Sequence, residues 1–181
     1  RRVISISEYC KRQLRRTFGR DSVLVYPGVD VDLFRPMGIE KEYDLCSLGR
    51  ENRKGKNEDL LKETFPGARF TSEVTDEQLA AFYNKGKVYV SLSPWEGFGL
   101  SLAEAMSCGV PVVALDKAAM PEVVNGGGVV CASIPEVRKA VAALLDESPF
   151  YEQLARQGRD HVVRNFDCRL KAEEFSAIIS G

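Results

Sequence analysis

The fold of this chain is decided at residues 93–106, SPWEGFGLSLAEAM, which join a predicted buried strand at 88–92 to a predicted helix at about 99–107. Gly97 and Gly99 lie in the connecting loop, and because they carry no side chain, a ligand can approach the backbone closely there. The amides at a helix start point outward and favour an anion, most often a phosphate. The stretch therefore predicts a strand–loop–helix unit with an anion site at the helix start.

Strands and helices alternate on both sides of this unit. Further strands are predicted at 43–48, 68–71, 110–115 and 128–131, and further helices at 57–64, 75–84, 133–145, 150–163 and 169–179, with a one-turn helix starting at Pro121. Single helices between strands imply parallel pairing, and strands that are apolar throughout imply a sheet covered on both faces. The predicted fold class is α/β: a doubly wound, mostly parallel, Rossmann-like sheet with helices on both faces. Ligands of such sheets bind beyond the carboxyl ends of the strands.

Three predicted helices begin with the pattern of a capping box, in which a hydroxyl residue is followed three positions later by an acid or an amide. The pairs are Ser5 with Glu8, Thr75 with Gln78, and Ser133 with Glu136. The first pair opens a basic amphipathic helix that runs to Phe18. Residues 1–20 contain Lys or Arg at positions 1, 2, 11, 12, 15, 16 and 20, and Glu8 as their single acid. A solvated helix face is the simplest explanation, and contact with an anionic membrane surface is the alternative.

The overall composition is that of a globular protein with one core: 181 residues, 44% hydrophobic and 28% charged, with no apolar run long enough to span a bilayer. A net charge of −1 gives no reason to expect nucleic-acid binding. The five cysteines form no C-x-x-C pair, which favours a reduced, cytosolic compartment and argues against a zinc site. His161, the only histidine, lies in a polar helical stretch and is not expected to be catalytic.

Two glutamates flank the predicted anion site. Glu96 lies in the loop, and Glu104 lies about 7 Å along the helix from Gly99 at 1.5 Å per residue. Ser101, Glu104 and Cys108 share one stripe of this helix. An ionised carboxylate accepts two hydroxyl hydrogen bonds, which suits a cis-diol such as ribose. The alternative is that Glu104 is simply an acid favoured by the helix dipole.

Together with further motifs, these residues resemble the carboxyl-terminal domain of the family 4 (group 1) retaining glycosyltransferases, which have the two-domain GT-B fold. The matching stretches are EGFG at 96–99, EAM at 104–106, CGVPVV at 108–113, PEVV at 121–124, VYPGVD at 25–30 and FRP at 34–36. The likeness covers nearly the whole chain, and the combination of motifs is specific.

The resemblance implies a role for each matching residue. Glu104 would bind the ribose hydroxyls, and Glu96 would contact the donor sugar near the reacting centre. The donor-binding set is completed by Gly97, by the backbone amides of Phe98, Gly99 and Leu100, and by Val74 near the base. Arg50, with Lys56 or its neighbour Lys54, would neutralise the departing diphosphate, where charge accumulates in the transition state.

The function that the resemblance implies is transfer of a hexosyl group from a UDP- or GDP-linked sugar, with retention, to a sugar, lipid-linked glycan or protein acceptor. No metal or other cofactor is expected. Residues 1–20 would be the tail of a missing acceptor-binding domain or an interdomain segment, and residues 21–181 the nucleotide-sugar-binding domain. The expected location is cytoplasmic, with possible peripheral contact at the inner face of the membrane. We expect the chain alone to transfer sugar poorly, because half of the cleft cannot bring two substrates together.

Two departures from the family pattern are visible. The stretch between residues 61 and 75 is short, as though one strand–helix unit were trimmed, which leaves the strand order open. Before Pro121 the family often has paired glycines, whereas this chain has Lys117-Ala118-Ala119-Met120. Methyl groups there would narrow the sugar pocket or alter the choice of donor.

Two other functions compete with this one. Gly97-Phe98-Gly99 and Asp116 are spaced as in a dinucleotide-binding oxidoreductase domain, but Leu102 occupies the third glycine position. A non-catalytic nucleotide-binding or interaction module of the same fold is the other alternative. The presence together of Glu96, Glu104, Arg50 and Lys56 argues against it, because a module without activity need not keep all four.

Overall fold

The computed structural model describes residues 2–49, 57–146 and 149–180. In chain order its elements are β1 (Ile4–Ser5), α1 (Glu8–Phe18), β2 (Val23–Leu24), β3 (Tyr43–Leu48), α2 (Glu58–Thr64), β4 (Arg69–Thr71), α3 (Asp76–Lys85), β5 (Gly86–Ser91), α4 (Leu100–Ser107), β6 (Val112–Leu115), α5 (Met120–Val124), β7 (Gly128–Cys131), α6 (Ile134–Leu145), α7 (Pro149–Asn165) and α8 (Cys168–Ser180). The predicted strands and helices are therefore present, and their ends differ from the predicted ones by at most two residues.

The main sheet has five strands in the order β4-β3-β5-β6-β7, and every pairing among the described strands is parallel. This order answers what the short 61–75 stretch left open: β4, only three residues long, is the edge strand beside β3. The chain changes direction across the sheet between β3 and β5, which is where doubly wound sheets bind their ligands. A separate small sheet pairs β1 with β2, also in parallel.

Helices cover both faces of the main sheet, as predicted. All four residues of β6 are buried, which requires cover on both sides. Helix α4 packs against β5, β6 and α3, whereas α6 packs against β5, β6 and β7. The core lies in these two layers, with Val88, Val90 and Val113 of the central strands fully buried. Strand β6 begins at Val112 and not at residue 110, because Pro111 has no N–H for a ladder hydrogen bond.

The first predicted capping box is wrong, and tertiary pairing explains why. Ser5 lies in β1, where its hydroxyl is 2.6 Å from the hydroxyl of Ser22. The helix starts two residues later, at Ser7, whose side chain accepts a hydrogen bond from the amide of Cys10.

The other two helix starts differ from each other. Thr75 and Gln78 form the complete reciprocal box that was predicted. Ser133 makes no side-chain capping bond; instead the carboxylate of Glu136 accepts hydrogen bonds from the Ser133 hydroxyl and the Ala132 amide, each at 3.0 Å. Glu136, and not Ser133, therefore supplies the acceptor groups at this helix start.

No helix within the described ranges combines the length and the apolar character that crossing a bilayer requires.

The packing of α7 against the start of β7 gives a test of this fold. A Cβ atom built on Gly127 would lie 2.6 Å from the Cα atom of Gly158 in α7 and 3.0 Å from the sulfur of Met106. We expect Gly127→Ala to lower the free energy of unfolding by about 2 kcal/mol, since backbone must move to admit the methyl group. Gly67→Ala is the matched control, because a Cβ there meets nothing within 4 Å. Equal denaturation midpoints for the two variants would contradict this packing.

Candidate functional site

The candidate site lies at the carboxyl edge of the sheet, between the loops that follow β3 and β5. Gly49 directly follows β3, and its amide donates to the carbonyl of Thr71 at 3.0 Å. The side-chain amide of Asn57 donates to the carbonyl of Leu92, just after β5, at 2.9 Å. The residues on either side of positions 50–56 are therefore both anchored at this edge. Arg50, Lys54 and Lys56 lie outside the described residues, so their predicted contact with the diphosphate stays a prediction.

Helix α4 opens toward this edge from a glycine that no other residue type would replace without strain. Gly99, the N-cap, has φ 104° and ψ 51°, in the left-handed region. Glycine supplies no capping side chain, and the first turn of α4 contains no acidic residue. Because the first amides of a helix have no acceptor within it, this end combines N–H donors with the positive end of the helix dipole. Such an end is suited to a phosphate, and phosphate binding here stays a prediction.

Glu96 lies beside this helix start. A Cβ atom built on Gly99 would be 4.0 Å from the Cβ atom of Glu96, whose side chain is half-buried. The carbonyl of Glu96 accepts a hydrogen bond from the amide of Ala119 at 3.4 Å, which ties the loop after β5 to the loop after β6. Ser93 stabilises the same loop by donating to the carbonyl of Trp95 at 3.0 Å. Glu96 is therefore held where two loops of the carboxyl edge meet.

Glu104 is half-buried on α4, and its position involves a residue that the sequence analysis missed. The hydroxyl of Tyr83, on α3, donates to Oε2 of Glu104 at 2.8 Å. Burial, assisted by the neighbouring Tyr89 and Glu104 oxygens, raises the pKa of Tyr83 well above its usual value, so the phenol stays protonated. No local pattern pointed to this pair, because its members belong to different helices and lie 21 positions apart.

The remaining predicted donor-binding residues divide into core and surface. The ring of Phe98 is buried against Phe166, with centroids 5.1 Å apart, so this residue offers a ligand its backbone and not its side chain. Leu100 is exposed on the first turn of α4. Val74 is exposed in the loop after β4, the strand next to β3, and this loop leaves the sheet at the same carboxyl edge; its contact with the base stays a prediction.

The basic amino-terminal segment reaches the same loop. The thiol of Cys10, on α1, donates to the carbonyl of Gly97 at 3.3 Å, and Ile6 would be 3.2 Å from a Cβ atom on Gly97. A side chain at position 97 would therefore press on Ile6, which lies just before α1. Glycine here permits close approach by the amino-terminal segment.

Glu122, from the Pro-Glu step, anchors α1 from the other side. Its carboxylate accepts hydrogen bonds from the amides of Glu8 at 2.9 Å and Tyr9 at 3.2 Å. Burial raises the pKa of this carboxyl, while the two amides act in the opposite direction. The sequence analysis matched Glu122 to a family motif without a role; the structure shows it capping the first turn of a helix more than a hundred positions away.

Metal ligation finds no support in the described ranges, where no group of three or more His, Cys, Asp or Glu side chains could hold an ion. Two surface cavities, of about 740 and 590 Å³, lie near the starts of β3 and β5. None of the predicted site residues lines either cavity. The candidate site is therefore defined by its loops and helix end and not by either of these hollows.

The loop after β6 departs from an unstrained backbone at Ala118, whose φ is 50°. The alanine stands where glycine is frequent in the resembling family, and the left-handed conformation explains that glycine. We expect Ala118→Gly to be neutral or to raise the free energy of unfolding by up to about 1 kcal/mol, since strain relief of about 1–2 kcal/mol exceeds or offsets the added flexibility of the unfolded chain. The control is Ala105→Gly inside α4, which should lower stability by about 1 kcal/mol. Chemical denaturation distinguishes them, and similar losses in both would show that position 118 is not strained.

Comparison with known protein families gives a match to the model described as glycosyl transferases group 1, over residues 36–161. Among curated proteins, the chain is 47% identical over 101 residues to O-antigen chain mannosyltransferase B of Escherichia coli, covering 52% of this chain and 26% of that protein. It is 30% identical over 147 residues to MMP alpha-(1->4)-mannosyltransferase of Mycolicibacterium hassiacum, covering 77% of this chain and 36% of that protein. The chain thus matches only about a quarter to a third of the length of these relatives.

Solved structures confirm the fold. The Anabaena protein HepE in complex with UDP-glucose superposes with a TM-score of 0.86 at 15% identity, covering 99% of this chain and 63% of that one. Sucrose-phosphate synthase from Thermosynechococcus elongatus gives a TM-score of 0.81 at 20% identity, covering 98% of this chain and 57% of that one. Taken with the family match over more than half of its length, these likenesses establish that the chain belongs to the group 1 glycosyl transferases and has the fold of the carboxyl-terminal domain of a GT-B enzyme.

Proposed function

We propose that this chain is the donor-binding half of a retaining hexosyltransferase, which holds a nucleotide-diphosphate sugar at the carboxyl edge of its sheet. The observation that carries the proposal is the end of α4. Its uncapped amides at Gly99 lie beside Glu96 and one and a half turns from Glu104, at the point where the strand order reverses. One short segment thus offers amides for an anion, Glu96 for a polar sugar and Glu104 for a diol.

Each part of the donor has a partner in this arrangement. The diphosphate lies on the amides of Phe98, Gly99 and Leu100, and the ribose hydroxyls donate to the carboxylate of Glu104. The transferred sugar contacts Glu96, and the base lies toward Val74. Because charge accumulates on the diphosphate as it leaves, groups that bind this charge lower the barrier most.

Arg50 and Lys56 are the cations proposed for that task, with Lys54 as the alternative to Lys56. With these side chains neutralising the diphosphate, the reaction needs no metal ion or other cofactor. Retention would follow from attack on the same face of the sugar, with the leaving phosphate taking the proton of the acceptor hydroxyl.

The relatives favour mannose as the transferred sugar. Several curated proteins similar to this chain, at 30–47% identity, are named mannosyltransferases. The solved structures with UDP or UDP-glucose in their titles are only 14–17% identical, so they support a nucleotide sugar without selecting uridine. We therefore propose a mannosyl donor, with GDP and UDP as the two carriers to be compared.

The acceptor would be a sugar, a lipid-linked glycan or a protein, bound by a part of the enzyme beyond residues 21–181. Relatives that are three to four times as long as the matched segment leave room for such a domain. Turnover needs both substrates in one cleft. Binding of the nucleotide sugar is therefore the property to test on this chain by itself.

Replacing Glu104 tests the ribose contact. We expect Glu104→Gln to weaken the binding of GDP or UDP, whichever binds more tightly, about tenfold or more, since hydrogen bonds to a charged group contribute about 1.5–3 kcal/mol. Isothermal titration calorimetry on the folded variant measures the change. Glu152→Gln, an exposed residue of α7, is the control and should leave the affinity unchanged.

The same titration separates the competing functions. Unchanged affinity in Glu104→Gln would favour a non-catalytic module, and tighter binding of NAD than of either nucleoside diphosphate would favour an oxidoreductase domain. The first result would remove the proposed ribose contact, and the second would contradict binding of a nucleotide sugar.

A membrane location for the enzyme rests on α1 and is tested separately. Arg12, Arg15 and Arg16 are exposed on this helix, and Phe18 near its end is 70% exposed. We expect the chain to co-sediment with phosphatidylglycerol vesicles but not with phosphatidylcholine vesicles, and to dissociate as salt is raised.

Changing these three arginines to glutamine should remove most of this binding, because each basic residue at the surface contributes about 1 kcal/mol. Lys139, Arg156 and Arg164 are exposed elsewhere, and their triple glutamine variant changes the net charge equally. Equal loss in both variants would show that only overall charge matters and that α1 is not the contact.

A further inference from the structure

Tyr83 is a buried tyrosine aimed at a residue of the proposed site. Its side chain is fully buried, yet its hydroxyl reaches Oε2 of Glu104 at 2.8 Å, and Glu104 is itself half-buried at the edge of the site. Tyr83, which donates this hydrogen bond, belongs to α3, and Glu104, which accepts it, belongs to α4. The bond therefore joins two helices that pack side by side.

The tyrosine ring has little freedom to move away from Glu104. It packs edge-on against Tyr89 with ring centroids 5.5 Å apart, and its centroid is 6.2 Å from that of Phe34. The next residue, Asn84, fixes the end of α3 through hydrogen bonds between its side chain and the backbone of Arg35 and Met37. Tyr83 is therefore a hydrogen-bond donor whose ring is held in place from several sides.

A glutamate on a helix surface otherwise rotates about three side-chain bonds, and ordering it upon binding costs affinity. A hydrogen bond from a fixed donor orders the carboxylate in advance. Each carboxylate oxygen accepts two hydrogen bonds, so Oε2 can hold the tyrosine and still accept a ligand hydroxyl.

We infer that Tyr83 is a positioning residue for the ribose site: its hydroxyl presets the Glu104 carboxylate to accept the two sugar hydroxyls, and thereby sets the preference for ribose over sugars that lack them. This inference rests on the proposed function, in which Glu104 holds ribose. Tyr83 touches no part of the donor and acts through Glu104.

A purely structural role for the same hydrogen bond makes a different prediction. A buried phenol needs an acceptor, and Glu104 could serve only as that acceptor. In that case, Tyr83→Phe would change stability but would leave the selectivity of ligand binding unaltered. The phenylalanine ring has no hydroxyl and so needs no acceptor. The selectivity for the ribose hydroxyls therefore separates the two roles.

The test compares Tyr83→Phe with the unaltered chain by calorimetric titration against UDP and GDP and against their 2′,3′-dideoxy forms. We expect the variant to bind the better ribonucleotide about 5–10-fold more weakly and its dideoxy form within about twofold of the unaltered chain, so that the ratio of the two affinities falls. Tyr151→Phe is the matched control. It also removes a tyrosine hydroxyl that is hydrogen-bonded, to the carbonyl of Lys87 at 3.0 Å, and should leave the ratio unchanged.

The outcomes distinguish this inference from the function on which it rests. If the unaltered chain prefers ribose and Tyr83→Phe keeps the full preference, Tyr83 does not position Glu104 and the inference is overturned. If the unaltered chain shows no preference for ribose over the dideoxy sugar, the ribose role of Glu104 itself is wrong, and the inference fails with it. Thermal unfolding of both tyrosine variants shows that each is folded at the titration temperature.

Discussion

The site depends on one backbone conformation, the left-handed turn at Gly99 that lets the chain pass from the loop after β5 into α4. With φ at 104°, a residue with a side chain would be strained there, and its Cβ would also press on Leu102 at 3.3 Å. The same glycine leaves the helix without a capping side chain, so its first amides stay directed at the edge of the sheet. One conformational requirement thus produces both the turn and the candidate anion site, and the regular rise of α4 then sets how far Glu104 lies from it.

The direction of α4 is held at its other end by a cation. The guanidinium of Arg159, on α7, donates to the carbonyls of Ser107 and Phe34, and to that of Val31 at 3.1 Å. A positive charge at a helix carboxyl end complements the helix dipole, just as an anion does at the amino end. Gly127 allows α7 to approach closely enough for these bonds to form. Helix α7 therefore orients the helix whose amino end is the proposed diphosphate site.

What could be predicted from the sequence is what depends on near neighbours. The β5–α4 unit was predicted because its apolar strand, two glycines and helix lie within twenty positions, and the parallel sheet followed from the alternation of such units. Ser5 was assigned to a cap wrongly because it pairs with Leu24 of β2, a partner that lies 19 positions away. Tyr83 and Glu122 were missed for the same reason, since each acts on a helix that is distant in sequence. From the sequence, Ala118 could be recognised only as an alanine where the family often has glycine. The motif shows this difference, but it does not show the left-handed dihedral angle that explains it.

Charge balance links the described site to the segment at 50–56. Glu96 and Glu104 lie near the end of α4 where a diphosphate is proposed, and a helix dipole offers only about half a positive charge. Two carboxylates and a diphosphate placed close together repel one another unless cations are added. The sequence at 50–56, RENRKGK, has four basic residues and one acid, and it is bounded by Gly49 and Asn57, which the structure anchors at this edge. The proposed site therefore requires positive charge, and the basic segment at 50–56 is bounded by residues that lie at the same edge of the sheet.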